Sequence, residues 1–181
     1  MIEKAVIEAC RNGNLQEFRK IIDKTSPMVY SVAFRMLGDE ELARDIVQET
    51  MISIWQKIRS IKSPESFRTW VYRVAVNKCY DCLRKRKHDG EVRMDDNAWA
   101  LLANRLSGEE TTELDNSEIA LIINTLTDKL SPRQKTVFVL AELEEMTNEE
   151  IAAVTGISRT LVKANLYHSR KKMAELLKNL I

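Results

Sequence analysis

The chain has 181 residues, enough for one ordinary domain or two small ones. Its 44% apolar and 30% charged residues exclude wholesale disorder, and five glycines and three prolines among stretches rich in Leu, Ala, Glu, Lys and Arg predict an all-α protein. The net charge of +1 hides a division: residues 1–88 balance at +6, 89–117 at −6 and 118–181 at +1, a separation that favours a partner of local charge, nucleic acid among them.

Residues 1–20 carry Glu3, Lys4, Glu8, Arg11, Glu17, Arg19 and Lys20 with no uninterrupted apolar stretch, so no signal peptide is expected. No segment approaches the roughly 20 apolar residues of a membrane span. No membrane insertion is therefore expected, and the expected place is the cytoplasm. Three cysteines suit a reducing compartment.

In chain order, a short first helix ends at Gly13-Asn14. Helical spacing resumes over 15–24 with Leu15, Phe18, Ile21 and Ile22. Ser26-Pro27 predicts a fresh helix start, proline suiting the first helical position, with Tyr30, Ala33, Phe34 and Leu37 as its stripe. Gly38 can close that helix and Asp39 can cap the next, which runs to about Arg59. In that helix the stretch ARDIVQETMISIW puts Ile46, Val47, Met51, Ile54 and Trp55 on one broad side. Asp45, Gln48, Glu49 and Ile52 fall on the other, an ordered face of two carboxylates, an amide and an isoleucine.

Ser63-Pro64-Glu65 gives the next start, and Phe67, Trp70, Val71, Val74 and Ala75 form one side of a long helix reaching Arg84-Lys85-Arg86-Lys87. Residues 1–88 read as one helical domain. Residues 89–117, acidic and broken at Asp-Gly and Ser-Gly, read as a flexible linker with one apolar patch from Trp99 to Leu106.

Residues 118–181 read as a second domain with strong punctuation. Ser131-Pro132-Arg133-Gln134 and Thr147-Asn148-Glu149-Glu150 are capping boxes. Gly156 stops the second of these helices, Ile157 packs back, and Ser158 caps the last helix. Helix, tight glycine turn and helix make a helix-turn-helix pattern. Leu161, Val162, Leu166, Met173, Leu176 and Leu177 are its expected buried side.

Three constellations are candidates for function. Ser158, Arg159, Thr160, Lys163 and Ala164 lead the last helix, where hydrogen-bonding side chains reach base edges. Tyr167, Arg170 and Lys171 lie further along, where phosphate contact is more plausible. Arg73, Asn77, Tyr80 and Arg84 recur as one stripe on the long N-terminal helix, with Arg59, Lys62 and Ser63 at the loop before it. Cations interleaved with an amide and an aromatic suit DNA; taken alone, the stripe is equally an ordinary charged surface. Cys79-x-x-Cys82 with His88 lacks the four ligands of a structural zinc site, so these cysteines and Cys10 are expected to pack, and no metal or cofactor is expected. No catalytic set accompanies the two histidines, and no Gly-rich phosphate loop is present, so no enzyme is expected.

Together these residues resemble a bacterial extracytoplasmic-function (ECF) RNA polymerase sigma factor. LGDEELARDIVQETMISIW is similar to the family's region 2 docking helix, FRTWVYRVAVNKCYDCLRKRK to its promoter-facing helix, and LSPRQKTVFVLAELEEMTNEEIAAVTGISRTLVKANLYHSRKKM to region 4. The resemblance implies that Asp45, Gln48, Glu49 and Ile52 dock on the β′ clamp helices of core polymerase, with the β subunit a further contact. It implies that Arg59, Lys62, Ser63, Arg73, Asn77, Tyr80 and Arg84 serve the −10 element. A base extruded from the melted strand would sit in the loop from Ile61 to Ser66. Ser158, Arg159, Thr160, Lys163, Ala164, Tyr167, Arg170 and Lys171 would serve the −35 element. An anti-sigma protein is a further implied partner. Asn165 stands where many members have arginine, so the family's −35 preference does not carry over. The alternative is a self-sufficient helix-turn-helix regulator with an N-terminal sensing or dimerisation domain, which would bind duplex DNA tightly without polymerase.

Overall fold

The computed structural model describes residues 3–61, 66–88 and 116–178. Those residues form helices joined by short turns, with no strand among them. Four N-terminal helices are α1 (Lys4–Arg11), α2 (Leu15–Leu37), α3 (Glu40–Lys57) and α4 (Phe67–His88), a 3-10 turn at Ile58–Ser60 following α3. Four more follow: α5 (Asn116–Thr127), α6 (Pro132–Phe138), α7 (Asn148–Thr155) and α8 (Arg159–Lys178). A π turn, Val139–Leu143, continues α6. The linker expected over 89–117 lies outside the described residues except for its last two positions, which begin α5. The start expected at Ser63-Pro64-Glu65 also lies outside them.

Local chemistry sets most boundaries. Asn14 caps α2 by accepting from the amides of Gln16 and Glu17, and Asp39 caps α3 by accepting from Leu42. Gly38 ends α2 in the left-handed conformation at φ 62°. Both expected capping boxes are present, Ser131 with Gln134 and Thr147 with Glu150. Gly156 closes α7 at φ 75°, and the Ser158 hydroxyl accepts from the Leu161 amide to open α8.

One boundary differs. Ser26-Pro27 starts no helix; α2 runs through it as one element. Phe18, Ile21, Thr25, Val29, Val32, Ala33 and Met36 are all buried, so the apolar stripe stays in phase across the proline. An interior proline costs roughly 3 kcal/mol. The residues beyond it each gain about 1.5–3 kcal/mol for a large side chain, and that outweighs the penalty. The buried side of α8 is also narrower than expected: Leu161 and Leu177 remain 47% and 41% exposed. Val162, Leu166, Ser169 and Met173 carry the packing instead.

The main core does not stop at the N-terminal helices. Ile21, Val32, Ile54, Val71 and Val76 belong to the same apolar cluster as Val137, Leu140, Ile151 and Val162. A smaller cluster of Leu126, Leu130 and Met173 ties α5 to α8. Helix α4 packs on α2 and α3 along one side and on α7 along another. That second contact explains why Tyr72 and Val76, outside the expected stripe, are fully buried.

Replacing Gly156 with alanine is expected to lower the thermal midpoint by about 2–4 °C, corresponding to about 1 kcal/mol of left-handed strain. An added Cβ meets nothing within 4 Å, so the backbone alone is charged with the loss. An unchanged midpoint in a melting curve would contradict that conformation.

Candidate functional site

Helix α3 separates its two sides cleanly. Ala43, Ile46, Met51 and Ile54 are buried, whereas Asp45, Gln48 and Glu49 are exposed beside an Ile52 that is 57% exposed. Glu49 accepts from the Lys78 ammonium of α4 at 2.8 Å. The face therefore presents an acceptor-rich rim around an isolated apolar side chain, a pattern suited to a basic helical partner.

The α4 stripe is placed less simply. Asn77 and Arg84 are exposed, and Arg84 pairs with Asp81 one turn back at 2.9 Å. Arg73 instead donates from Nε to the Ala153 carbonyl of α7 at 2.9 Å, and from its terminal nitrogen to the same oxygen. Tyr80 is half-buried and lines a crevice with Ser131, Pro132, Arg133, Thr155 and Ile157. Burial pushes its hydroxyl above the ordinary value, with Thr136 and Arg133 drawing it partly back. Two members of the stripe thus touch the helix-turn-helix part, Tyr80 half-buried and Arg73 still exposed. Lys62 and Ser63 lie outside the described residues. Arg59 donates to the Arg11 carbonyl at 3.0 Å, and Arg11 donates to the Ile61 carbonyl, so α1 braces the segment after α3.

In the helix-turn-helix, Ser158, Arg159, Thr160, Lys163, Ala164, Tyr167, Arg170 and Lys171 all stand exposed along α8. Tyr167 is 65% exposed, with its ring edge-on to that of His168. Arg159 donates to Glu149 of α7 at 2.7 Å, and Arg170 donates to Glu142 at 2.8 Å. Glu149 sits below its ordinary range, chiefly because Arg159 hydrogen-bonds it, with its own backbone amide and Lys163 adding to the effect. Cys79 is fully buried among apolar neighbours, and that burial pushes its thiol up to about 12. It packs as a small apolar residue.

Glu144, which the sequence does not single out, is held by three donors. Ser31 Oγ and Arg35 donate to one carboxylate oxygen at 2.9 and 3.0 Å, and the Tyr72 hydroxyl donates to the other at 2.7 Å. Arg35 also reaches the Leu143 carbonyl at 3.0 Å. No sequence periodicity marks Glu144, because its partners lie about 70 to 110 positions away.

Residues 21–88 match the profile of Sigma-70 region 2, and residues 120–173 that of Sigma-70 region 4. RNA polymerase sigma factor SigV of Bacillus subtilis is 30% identical, over 94% of this chain and 90% of that protein. The chain belongs to the ECF sigma factors. ECF RNA polymerase sigma factor SigW of Bacillus subtilis is 27% identical over 99% of both chains. The fold is shared with the structure of CnrH in complex with the cytosolic domain of CnrY, at a TM-score of 0.71 and 21% identity over 99% of both chains. The sigma factor RpoE, in its complex with the anti-sigma factor NepR from Bartonella quintana, gives 0.68 at 21% identity over 90% of this chain and 98% of that one. A sigma factor serves transcription initiation with core RNA polymerase on promoter DNA, and nothing supports the self-sufficient regulator. No helix of the described residues is long and apolar enough to cross a membrane.

The Glu149 carboxyl of this sigma factor should titrate below its ordinary value in a side-chain NMR experiment, and move back toward it in Arg159→Ala. Because the folded value is depressed, the pairing acts above the ordinary carboxylate range and vanishes as pH falls through the lowered value. Titration at the same pH in both proteins would remove the ion pair.

Proposed function

We propose that this sigma factor docks on core polymerase through Asp45, Gln48, Glu49 and Ile52 of α3. The observation that carries this reading is the exposure of that whole face while the opposite side of α3 is packed. Acceptors around one exposed isoleucine match a partner surface of arginines and lysines with an apolar centre. The β′ clamp helices are the proposed ground for it, with the β subunit as a further contact.

Residues 1–88 would form the module that docks and serves the −10 element, and 118–181 the module that serves the −35 element, with 89–117 between them. Arg59, Lys62, Ser63, Arg73, Asn77, Tyr80 and Arg84 would meet the −10 region. Ser158, Arg159, Thr160, Lys163 and Ala164 would read the −35 element, and Tyr167, Arg170 and Lys171 would hold its backbone. Melting would follow from binding: a protein complementary to the open strand shifts the duplex equilibrium without covalent chemistry of its own. Extruding a base loses a few kcal/mol of stacking, which a pocket near Ile61 would offset. The chain would act in the cytoplasm. The two solved relatives are complexes with partner proteins, one named an anti-sigma factor; an inhibitor of that kind is proposed here too.

Asp45→Lys combined with Glu49→Lys is expected to abolish competition for core polymerase while circular dichroism and melting stay near wild type. Undiminished competition would refute the docking assignment. Lys163→Ala is expected to weaken −35 selection by about tenfold, if its contact is worth 1–3 kcal/mol, in runoff transcription from promoters varied at that element. Identical promoter ranking for variant and wild type would strike Lys163 from the reading surface.

A further inference from the structure

We propose that α1 is a positioning element for −10 recognition, and that Arg11 is the residue through which it acts. The proposal rests on the assignment of Arg59 and the segment that follows it to that element.

Helix α1 lies wholly ahead of residues 21–88, the part that matches the region 2 profile. Its inner side nevertheless reaches the end of α3. Ile7 and Cys10 are buried in the same apolar cluster as Ile58 and Ile61, and α1 packs on both α2 and the 3-10 turn. The end of α1 is itself tied down. Gly13 takes φ 86° and donates its amide to the Cys10 carbonyl at 2.9 Å. Asn14 donates to the Ala9 carbonyl at 3.1 Å, and its side chain then caps α2. Arg11 therefore projects from a turn whose position two helices fix.

From that turn two arginines exchange contacts. The Arg11 guanidinium donates to the Ile61 carbonyl, and Arg59 Nε donates to the Arg11 carbonyl at 3.0 Å. The Arg11 carbonyl is among the last four of α1, which have no partner within the helix, so a cation is favoured there. Ile61 is where the 3-10 turn gives way to extended backbone, at φ −71° and ψ 117°. Its amide donates to Ile58 at 3.4 Å, its side chain is buried, and its carbonyl is taken by Arg11. With all three committed, the direction in which the chain leaves Ile61 is set. Arg59 is otherwise exposed. Tying one nitrogen of a planar guanidinium aims its remaining donors, and a side chain already held loses less rotamer freedom on meeting a phosphate or a base.

Stability alone accounts poorly for an arginine at position 11. Its Nε is buried without a hydrogen-bond partner among the described residues, which costs free energy that an apolar side chain would not lose. What the guanidinium supplies, and an apolar chain does not, is a fixed direction for the Ile61 carbonyl.

The test is runoff transcription by holoenzyme carrying Arg11→Met, on promoters differing by single bases within the −10 element. The preference for the best −10 sequence over the substituted ones should fall about tenfold, as expected for losing a hydrogen bond from a charged group. Competition for core polymerase and ranking at the −35 element should stay as in the wild type. Arg11→Lys retains a charged donor without the planar fork and should recover part of the preference. A merely stabilising residue would lower the melting midpoint and reduce transcription from every promoter alike. An even loss of that kind, or a −10 ranking unchanged from the wild type, would overturn the positioning role. Should Arg11→Met fold poorly, Arg11→Gln is read in the same way at a temperature below its midpoint. Arg59→Ala, made in parallel, checks the underlying assignment. Altered −10 ranking there with unaltered ranking in Arg11→Met strikes Arg11 alone; unaltered ranking in both removes Arg59 from −10 recognition and Arg11 with it.

Discussion

A carboxylate taken out of water must find donors, and at Glu144 they come from two helices far away in sequence. Removing one partner from such a group costs more than the pair contributes over an apolar replacement, because the remaining charge stays poorly solvated. The contact therefore acts mainly as a specifier of arrangement. It fixes where the π turn meets α2 and α4, while the apolar area behind it supplies the bulk of the stabilisation. Tyr72 shows both effects: its ring is buried in the shared core, and burial together with the Glu144 carboxylate holds its hydroxyl firmly protonated.

Helix α4 bears the consequence. Val71, Ala75 and Cys79 face the N-terminal bundle, Tyr72 and Val76 lie deeper toward the seam, and Arg73 and Tyr80 meet the helix-turn-helix. The side that carries Arg73, Asn77, Asp81 and Arg84 is left to water, with the Arg73 guanidinium already hydrogen-bonded to Ala153. The stripe is thus exposed at Arg73, Asn77 and Arg84 but half-buried at Tyr80, where the helix meets the crevice against α6. By contrast, α3 and the leading part of α8 each pack through one side and keep the other clear.

What the sequence disclosed was local. Ser131 with Gln134, Thr147 with Glu150, and Gly156 with Ser158 act over three or four residues, so their chemistry is readable in order along the chain. The split of α3 was legible for the same reason, since a helical period carries it. Pro27 misled because its local preference was outweighed by a stripe that extends well beyond it on both sides. Leu161 was assigned inward by type, yet its position at the edge of the packed side of α8 leaves it exposed. Glu144 was invisible, because an acidic Glu-Glu pair before a cap resembles a solvated turn until Ser31, Arg35 and Tyr72 are brought beside it. The sites were therefore legible as faces, but not in whether another part of the chain already occupied them.

Occupancy also bears on how strongly the α8 surface would hold DNA. Affinity for a phosphate backbone comes largely from counterions released as cations meet phosphates. Arg159 already holds Glu149, and Arg170 already holds Glu142, so a phosphate approaching either exchanges one anion for another. Both pairs are exposed and individually weak, yet each subtracts from the gain that free cations would give. Lys163 and Lys171 remain to attract the duplex. On the proposed reading, the −35 surface is tempered by its own carboxylates, so that strong promoter binding requires the second contact supplied through polymerase. Two modest DNA contacts joined on one scaffold reach an affinity that neither has alone, because the first raises the effective concentration of the second.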